Sequence, residues 1–190
     1  MTKAEIRHYY LNKRKEFSPH EMENKQQGLI KHCALFDLSP YAVVHLFLSI
    51  EKQREPNTYF LLENLFSEGK TVVTSRSDFN TKQMTHWVVS PDSLWQTNHY
   101  GIPEPNEGTL VLPSAIDLVF VPLLGYDFKG QRVGYGQGFY DRFLSECAPN
   151  TVFVGLSYFP PGAEIKDCKP TDIRLHHCCL LYTSDAADER

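Results

Sequence analysis

The chain has 190 residues, enough for one domain with a real core and too few for two comfortable ones. Its formal net charge of −4 argues against binding to nucleic acid through bulk charge, and it has no apolar run of the roughly 18 residues a membrane span needs. Hydrophobic content of 42% and charged content of 22% are those of an ordinary folded domain. The N-terminal stretch MTKAEIRHYYLNKRKEF carries charges and no apolar signal core, so a cytoplasmic protein is expected. The five cysteines are odd in number and lack CxxC spacing, which fits a reducing compartment better than a disulfide framework or a zinc site.

In chain order, residues 2–17 read as a helix with Ile6, Tyr10 and Phe17 on one face. Ser18-Pro19-His20-Glu21 reads as a capping box with proline in the first turn, opening a second helix that runs to about Phe36. Ala42–Ser49 reads as a buried strand, and Asn57–Gly69 as a helix closed by glycine. Thr71–Thr74, Thr85–Val89, Ile116–Val121 and Thr151–Leu156 read as strands, and Phe139–Cys147 as a helix with Phe139, Phe143 and Leu144 inward. Strands alternating with helices predict a single α/β domain with an open, largely parallel sheet flanked by helices.

The densest signal is Arg132 to Arg142, RVGYGQGFYDR, between a strand and a helix. Glycines allow backbone to approach a phosphate closely, and a helix start offers unpaired N–H groups. Arg132 suits phosphate oxygens, and Asp141 suits Mg²⁺ beside a phosphate. The pattern is neither a Walker loop nor a dinucleotide fingerprint. The plain alternative is a tight turn with glycines for close packing.

The segment VPLLGYDFKGQRVGYGQGFYDRFL, residues 121–144, closely resembles the signature of the 5-formyltetrahydrofolate cyclo-ligase family. Lys3 to Arg7, FLS at 47–49, Glu55-Pro-Asn-Thr58 and Gly101-Ile-Pro-Glu-Pro105 follow in that family's order. The resemblance implies a sheet similar to those of sugar-phosphate isomerases and CoA transferases. It implies an ATP- and Mg²⁺-dependent closure of the N5-formyl group of 5-formyltetrahydrofolate onto N10, giving 5,10-methenyltetrahydrofolate, ADP and phosphate. It implies ATP contacts from Lys3, Arg7, Arg132, Val133, Gly134, Tyr135, Gly136, Gln137, Gly138, Phe139 and Tyr140. It implies folate contacts from Arg7, Leu48, Glu55, Tyr100, Tyr135 and Phe139, Mg²⁺ on Asp141 and Asp172, and a catalytic role for Arg132 and Lys3. The implied partners are therefore a reduced folate and ATP, with no nucleic acid and no membrane, and the protein is a monomer or else a dimer.

Several of these residues keep a second reading. Lys3, Arg7 and Arg14 share a helix side, which for Arg14 reads as a solvated basic face. Gln53 rivals Glu55 in register, Leu48 also reads as plain core, and of Phe139 and Tyr140 one is expected to face the site and one the core. Thr171 and His176 depart from the family's usual residues around Asp172. An isomerase or transferase on a similar sheet, and a non-catalytic folate or nucleotide binder, are the alternatives. Residues 1–178 are expected to form the catalytic domain with its natural C-terminus cut short. The tail 179–190, CLLYTSDAADER, resembles a translated sequencing-library adapter and is expected to carry no function.

Overall fold

The elements follow from local chemistry that the sequence displays. The structure, a computed structural model, describes residues 1–179. All of the suspected adapter tail except Cys179 therefore lies outside the described residues. Helix α1 (Lys3–Glu16) opens on a capping box formed by Thr2 and Glu5, and α2 (Pro19–Cys33) on the predicted one formed by Ser18 and Glu21. In chain order there follow β1 (Val43–His45), α3 (Tyr59–Ser67), β2 (Thr71–Asp78), β3 (Gln83–Val89), β4 (Trp95–Thr97), β5 (Pro103–Pro105) and β6 (Thr109–Val111). Strands β7 (Leu118–Pro122), β8 (Gly125–Tyr126) and β9 (Arg132–Val133) precede α4 (Phe139–Ser145), β10 (Val152–Leu156) and β11 (His177–Cys179).

The main sheet has seven strands in the order β11-β10-β7-β1-β2-β3-β6. Pairings from β11 through β2 are parallel, while β2–β3 and β3–β6 are antiparallel. Alternation along the strands sorts the core onto two faces. Val44, Leu46, Leu118, Phe120, Val154 and Leu156 pack with Leu29 of α2 and Leu61 and Leu65 of α3. Val73, Val119, Val121 and Phe153 pack with Phe143 and Leu144 of α4. A buried sheet of this kind needs apolar runs such as Leu118–Val121, which is why that strand was legible.

After β1 the chain builds β2, β3 and β6 on one side, then returns to build β7, β10 and β11 on the other. The β1/β7 junction is thus a topological switch point, where open α/β sheets leave a crevice beyond the carboxyl ends of their strands. Helix α1 lies past that edge against the β8–β9 hairpin. Ile6 buries with Val133 and Ile165, and Tyr10 comes so close to Gly125 that a Cβ there would meet its ring carbon at 2.6 Å.

Candidate active site

The crevice is a cleft of about 1250 Å³. Pockets for a single ligand run from about 300 to about 1,000 Å³, so it exceeds the usual single-ligand range and has room for two ligands of moderate size. Its walls include Lys3, Arg7, Leu48, Glu55, Tyr100, Arg132, Gly134, Tyr135, Gly136, Gln137, Gly138, Phe139, Tyr140, Asp141 and Asp172. Every residue to which the resemblance gave a site role lines it except Val133. Adjacent residues of a strand point opposite ways, so on β9 Arg132 turns to the cleft while Val133, 1% exposed, turns into the Ile6–Ile165 cluster. Gln53 is exposed on the cleft wall, whereas Glu55 is buried. Phe139 and Tyr140 both line the cleft, and Tyr140 also packs on the α4 face of the core.

One group of wall residues is ionic. Arg132 Nη2 donates to Asp141 Oδ1 at 2.7 Å, and Lys3 Nζ pairs with Asp172 Oδ2. The Ile173 N–H donates to Asp141 Oδ1 at 3.3 Å, which joins the two pairs across the chain. Burial lowers the Arg132 pKa, and Asp141, Tyr140 and Asp172 offset that only in part. Burial also works to raise the Asp172 pKa, but hydrogen bonds from Lys3 and the Lys169 N–H outweigh it and hold the carboxyl below its ordinary value. Both carboxylates are hard oxygen donors that use a single oxygen in these contacts. Among the described residues no three His, Cys, Asp or Glu side chains converge as a metal cage. Two carboxylates without a cage are the donor set that suits Mg²⁺ shared with phosphates and water.

The glycine loop packs against α1 through Arg7. Gly136 and Gly138 have φ of +92° and +72°, where other residues are strained. Gly134 has no such need. Its φ is not positive, and a Cβ added there would meet nothing within 4 Å. The space a side chain would fill is open cleft, so its absence leaves room for a ligand rather than for protein. Arg7 holds the loop from α1, its Nε donating to the Gly134 carbonyl at 2.8 Å. Gly138 begins α4 without any side-chain cap, so the first-turn N–H groups are left for other partners.

A second group is aromatic. Phe79 stacks on Tyr100 with ring centroids 3.7 Å apart and meets Phe139 edge-on at 5.0 Å. Phe79 carries no sequence signal of its own, because it sits in the β2–β3 turn and reads as a loop residue. Flat faces of this kind suit a heterocycle.

Glu55 also lines the cleft and is 7% exposed. Its Oε1 accepts from the Tyr135 hydroxyl at 2.6 Å and its Oε2 from the Ile50 N–H at 2.8 Å. Burial raises its pKa above the ordinary carboxylate value, against the hydrogen bonds and the nearby Arg14 charge. Arg14 overturns its reading as a solvated basic residue. It is 1% exposed, with Nη1 donating to the Tyr135 hydroxyl at 3.1 Å and Nη2 to the Leu123 carbonyl at 2.6 Å. The available signal was its spacing of seven from Arg7, two turns along the same helix face.

A model of the 5-formyltetrahydrofolate cyclo-ligase family matches residues 1–156. The 5-formyltetrahydrofolate cyclo-ligase of Mus musculus is 32% identical over 111 residues, 55% of this chain and 54% of that protein. That of Haemophilus influenzae is 29% identical over 143 residues, 73% of this chain and 75% of that protein. The chain thus spans about half the length of the mouse relative in the matched region. The NMR structure of the Aquifex aeolicus 5,10-methenyltetrahydrofolate synthetase superposes with a TM-score of 0.79 at 26% identity, covering 96% of this chain and 91% of that one. The Mycoplasma pneumoniae 5,10-methenyltetrahydrofolate synthetase shares the fold, with a TM-score of 0.73 at 22% identity, covering 94% and 98% of the two chains.

Proposed function

The chain belongs to the 5-formyltetrahydrofolate cyclo-ligase family, and from that premise we propose that it uses ATP and Mg²⁺ to cyclise 5-formyltetrahydrofolate to 5,10-methenyltetrahydrofolate, releasing ADP and phosphate. The observation that carries the reading is the joining of an ion-paired, glycine-lined phosphate end and an aromatic, carboxylate-bearing end in one cleft large enough for two ligands.

An amide-like formyl oxygen is a poor leaving group. Transfer of the γ-phosphoryl group to it makes a good one, after which N10 attacks the formyl carbon and phosphate departs. Such transfer depends on positioning and charge neutralisation more than on protein nucleophiles. Arg132 and Lys3 supply cations beside the phosphates, and Gly134 leaves the γ-phosphate room. Asp141 and Asp172 would hold Mg²⁺, which would supply charge neutralisation at the phosphates. Phe79 and Tyr100 would stack the pterin. The Glu55 carboxylate has about four acceptor positions, of which Tyr135 and Ile50 use two, leaving two for the N–H donors of an aminopyrimidine edge. The partners are thus small molecules, met in the cytoplasm.

The test is turnover of 5-formyltetrahydrofolate with ATP and Mg²⁺, followed by the near-ultraviolet absorbance of the methenyl product beside an Asp141→Ala control. ATP-dependent signal lost in the control is the expected result. A folded protein that binds both ligands and forms no product would leave a binding protein in place of an enzyme.

A further inference from the structure

Helix α1 grips the glycine loop at two points. Arg7 holds the Gly134 carbonyl, and two turns on, Arg14 holds the Tyr135 hydroxyl. Arg14 is anchored to the sheet through the Leu123 carbonyl, just past β7, and its Nε finds no acceptor among the described residues. A buried guanidinium so fixed has, among the described residues, one side-chain hydrogen-bond partner, Tyr135, to point. The Tyr135 hydroxyl accepts from Arg14 and so has its single proton free for Glu55, to which it donates at 2.6 Å. The residue is 37% exposed and lines the cleft, while its hydroxyl is held by Arg14 and Glu55.

The segment bearing Glu55 is tied to the same helix by a separate route. Arg54 Nη1 donates to the Arg14, Lys15 and Phe17 carbonyls at the end of α1, at 3.0, 2.9 and 2.8 Å. The peptide around Glu55 is thus held independently of the carboxylate, whose aim is set by Tyr135 and the Ile50 N–H. Tyr135 belongs to the glycine loop, so anything that moves or settles that loop moves or settles one of the two bonds aiming Glu55.

We infer that Arg14 and Tyr135 are positioning residues that couple the two halves of the cleft: a nucleotide seated on the glycine loop fixes Tyr135, and Tyr135 presents the Glu55 carboxylate to the folate. This rests on the reading of Glu55 as the pterin contact and of the glycine loop as the phosphate contact. Coupling between sites is reciprocal, so folate tightens nucleotide by the same factor as nucleotide tightens folate. Neither residue needs to touch a reacting atom.

The experiment is isothermal titration calorimetry on the 190-residue chain. 5-Formyltetrahydrofolate is titrated with and without a non-hydrolysable ATP analogue and Mg²⁺, and the analogue with and without the folate. The native protein is expected to show tightening of about tenfold in both directions, a usual size for such coupling. Tyr135→Phe keeps the ring and removes the hydroxyl. It is expected to bind folate alone more weakly and to lose the tightening, so that each ligand binds the variant with the same affinity whether or not the other is present. Arg14→Lys keeps a donor for Tyr135 but not the fork, and should retain part of the coupling, whereas Arg14→Met should retain none. A role in folding alone would lower the melting temperature of these variants and leave the coupling factor of the folded protein unchanged, which overturns the inference. Native protein that binds both ligands with no mutual effect also overturns it, while the proposed function stands. Native protein that binds no folate overturns both.

Discussion

Lowering the pH should destabilise this protein through two buried imidazoles that take no part in the proposed chemistry. His45 on β1 and His86 on β3 are 0% and 3% exposed. They share the hydroxyl of Ser75 on the strand between, at 2.7 Å from His45 Nε2 and 3.0 Å from His86 Nδ1. One hydroxyl gives one proton and accepts another, so the bridge suits two neutral rings. His86 also stacks on Phe143 with centroids 3.9 Å apart. Burial lowers the pKa of His86 from 6.5 to about 4, and burial together with the His86 charge lowers that of His45 well below 6.5. In the unfolded chain both recover the ordinary value and bind protons more readily. Stability is therefore complete above about pH 6.5 and is lost as the pH falls from there toward 4. At about 1.36 kcal/mol per pKa unit, His86 alone accounts for about 2 kcal/mol by pH 5 and about 3 kcal/mol across the whole window. Glu55 works the other way, because its raised pKa means that the folded state gains protons first as the pH falls. The His86 effect must therefore be isolated by substitution. Urea denaturation of the native chain and of His86→Phe at pH 7.5 and pH 5 should show the native protein losing about 2 kcal/mol more than the variant. Equal losses would refute the assignment.

Gly134→Ala and Gly136→Ala should separate ligand space from backbone strain. A Cβ at Gly134 meets no protein atom within 4 Å, so the melting temperature should hold while nucleotide affinity falls in calorimetry. At Gly136 the φ of +92° and an Arg7 guanidinium 3.1 Å from the new Cβ should cost about 1–2 kcal/mol of stability as well, read in a urea melt. Arg132→Met leaves Asp141 without its ion-pair partner and should lower kcat about 10²–10³-fold in the cyclisation assay, with Arg132→Lys recovering only part. Gly155→Ala on β10 would press a Cβ against the Leu123 side chain and to 2.7 Å from Leu175 Cδ1. Overpacking of that kind costs about 1–3 kcal/mol and should lower the melting temperature by several degrees in a thermal scan without changing the KM for ATP.

What the chain displays locally was readable in advance. The capping box at Ser18 and Glu21, the apolar run Leu118–Val121 and the glycine-closed helix near Gly69 each express their chemistry within a few residues, and the elements stand where that chemistry puts them. The strand around Val43 is shorter than its apolar pattern implies, because pairing with β2 and β7 ends before the chain turns into the cleft. The pairs β4–β5 and β8–β9 and the edge strands β6 and β11 were missed. Each is only two or three residues long, β5 holds two prolines, and such strands are stabilised by partners that sequence does not show.

The site divides in the same way. Arg132, Asp141 and the glycines announce themselves because they crowd into eleven residues, Arg132 to Arg142, with a pattern that phosphate chemistry requires. Arg14 did not, since a cation on a helix face is normally solvated, and only the approach of Leu123 and Tyr135, 109 and 121 residues away, gives its charge a buried place. His45, Ser75 and His86 are likewise unremarkable in order and become a bridge only when three strands align. Sequence alone determined the longer elements and the glycine-rich loop, because both are short-range arrangements. The tertiary structure decided which polar groups are withdrawn from water, because the cost of burying each is met only by partners from distant parts of the chain.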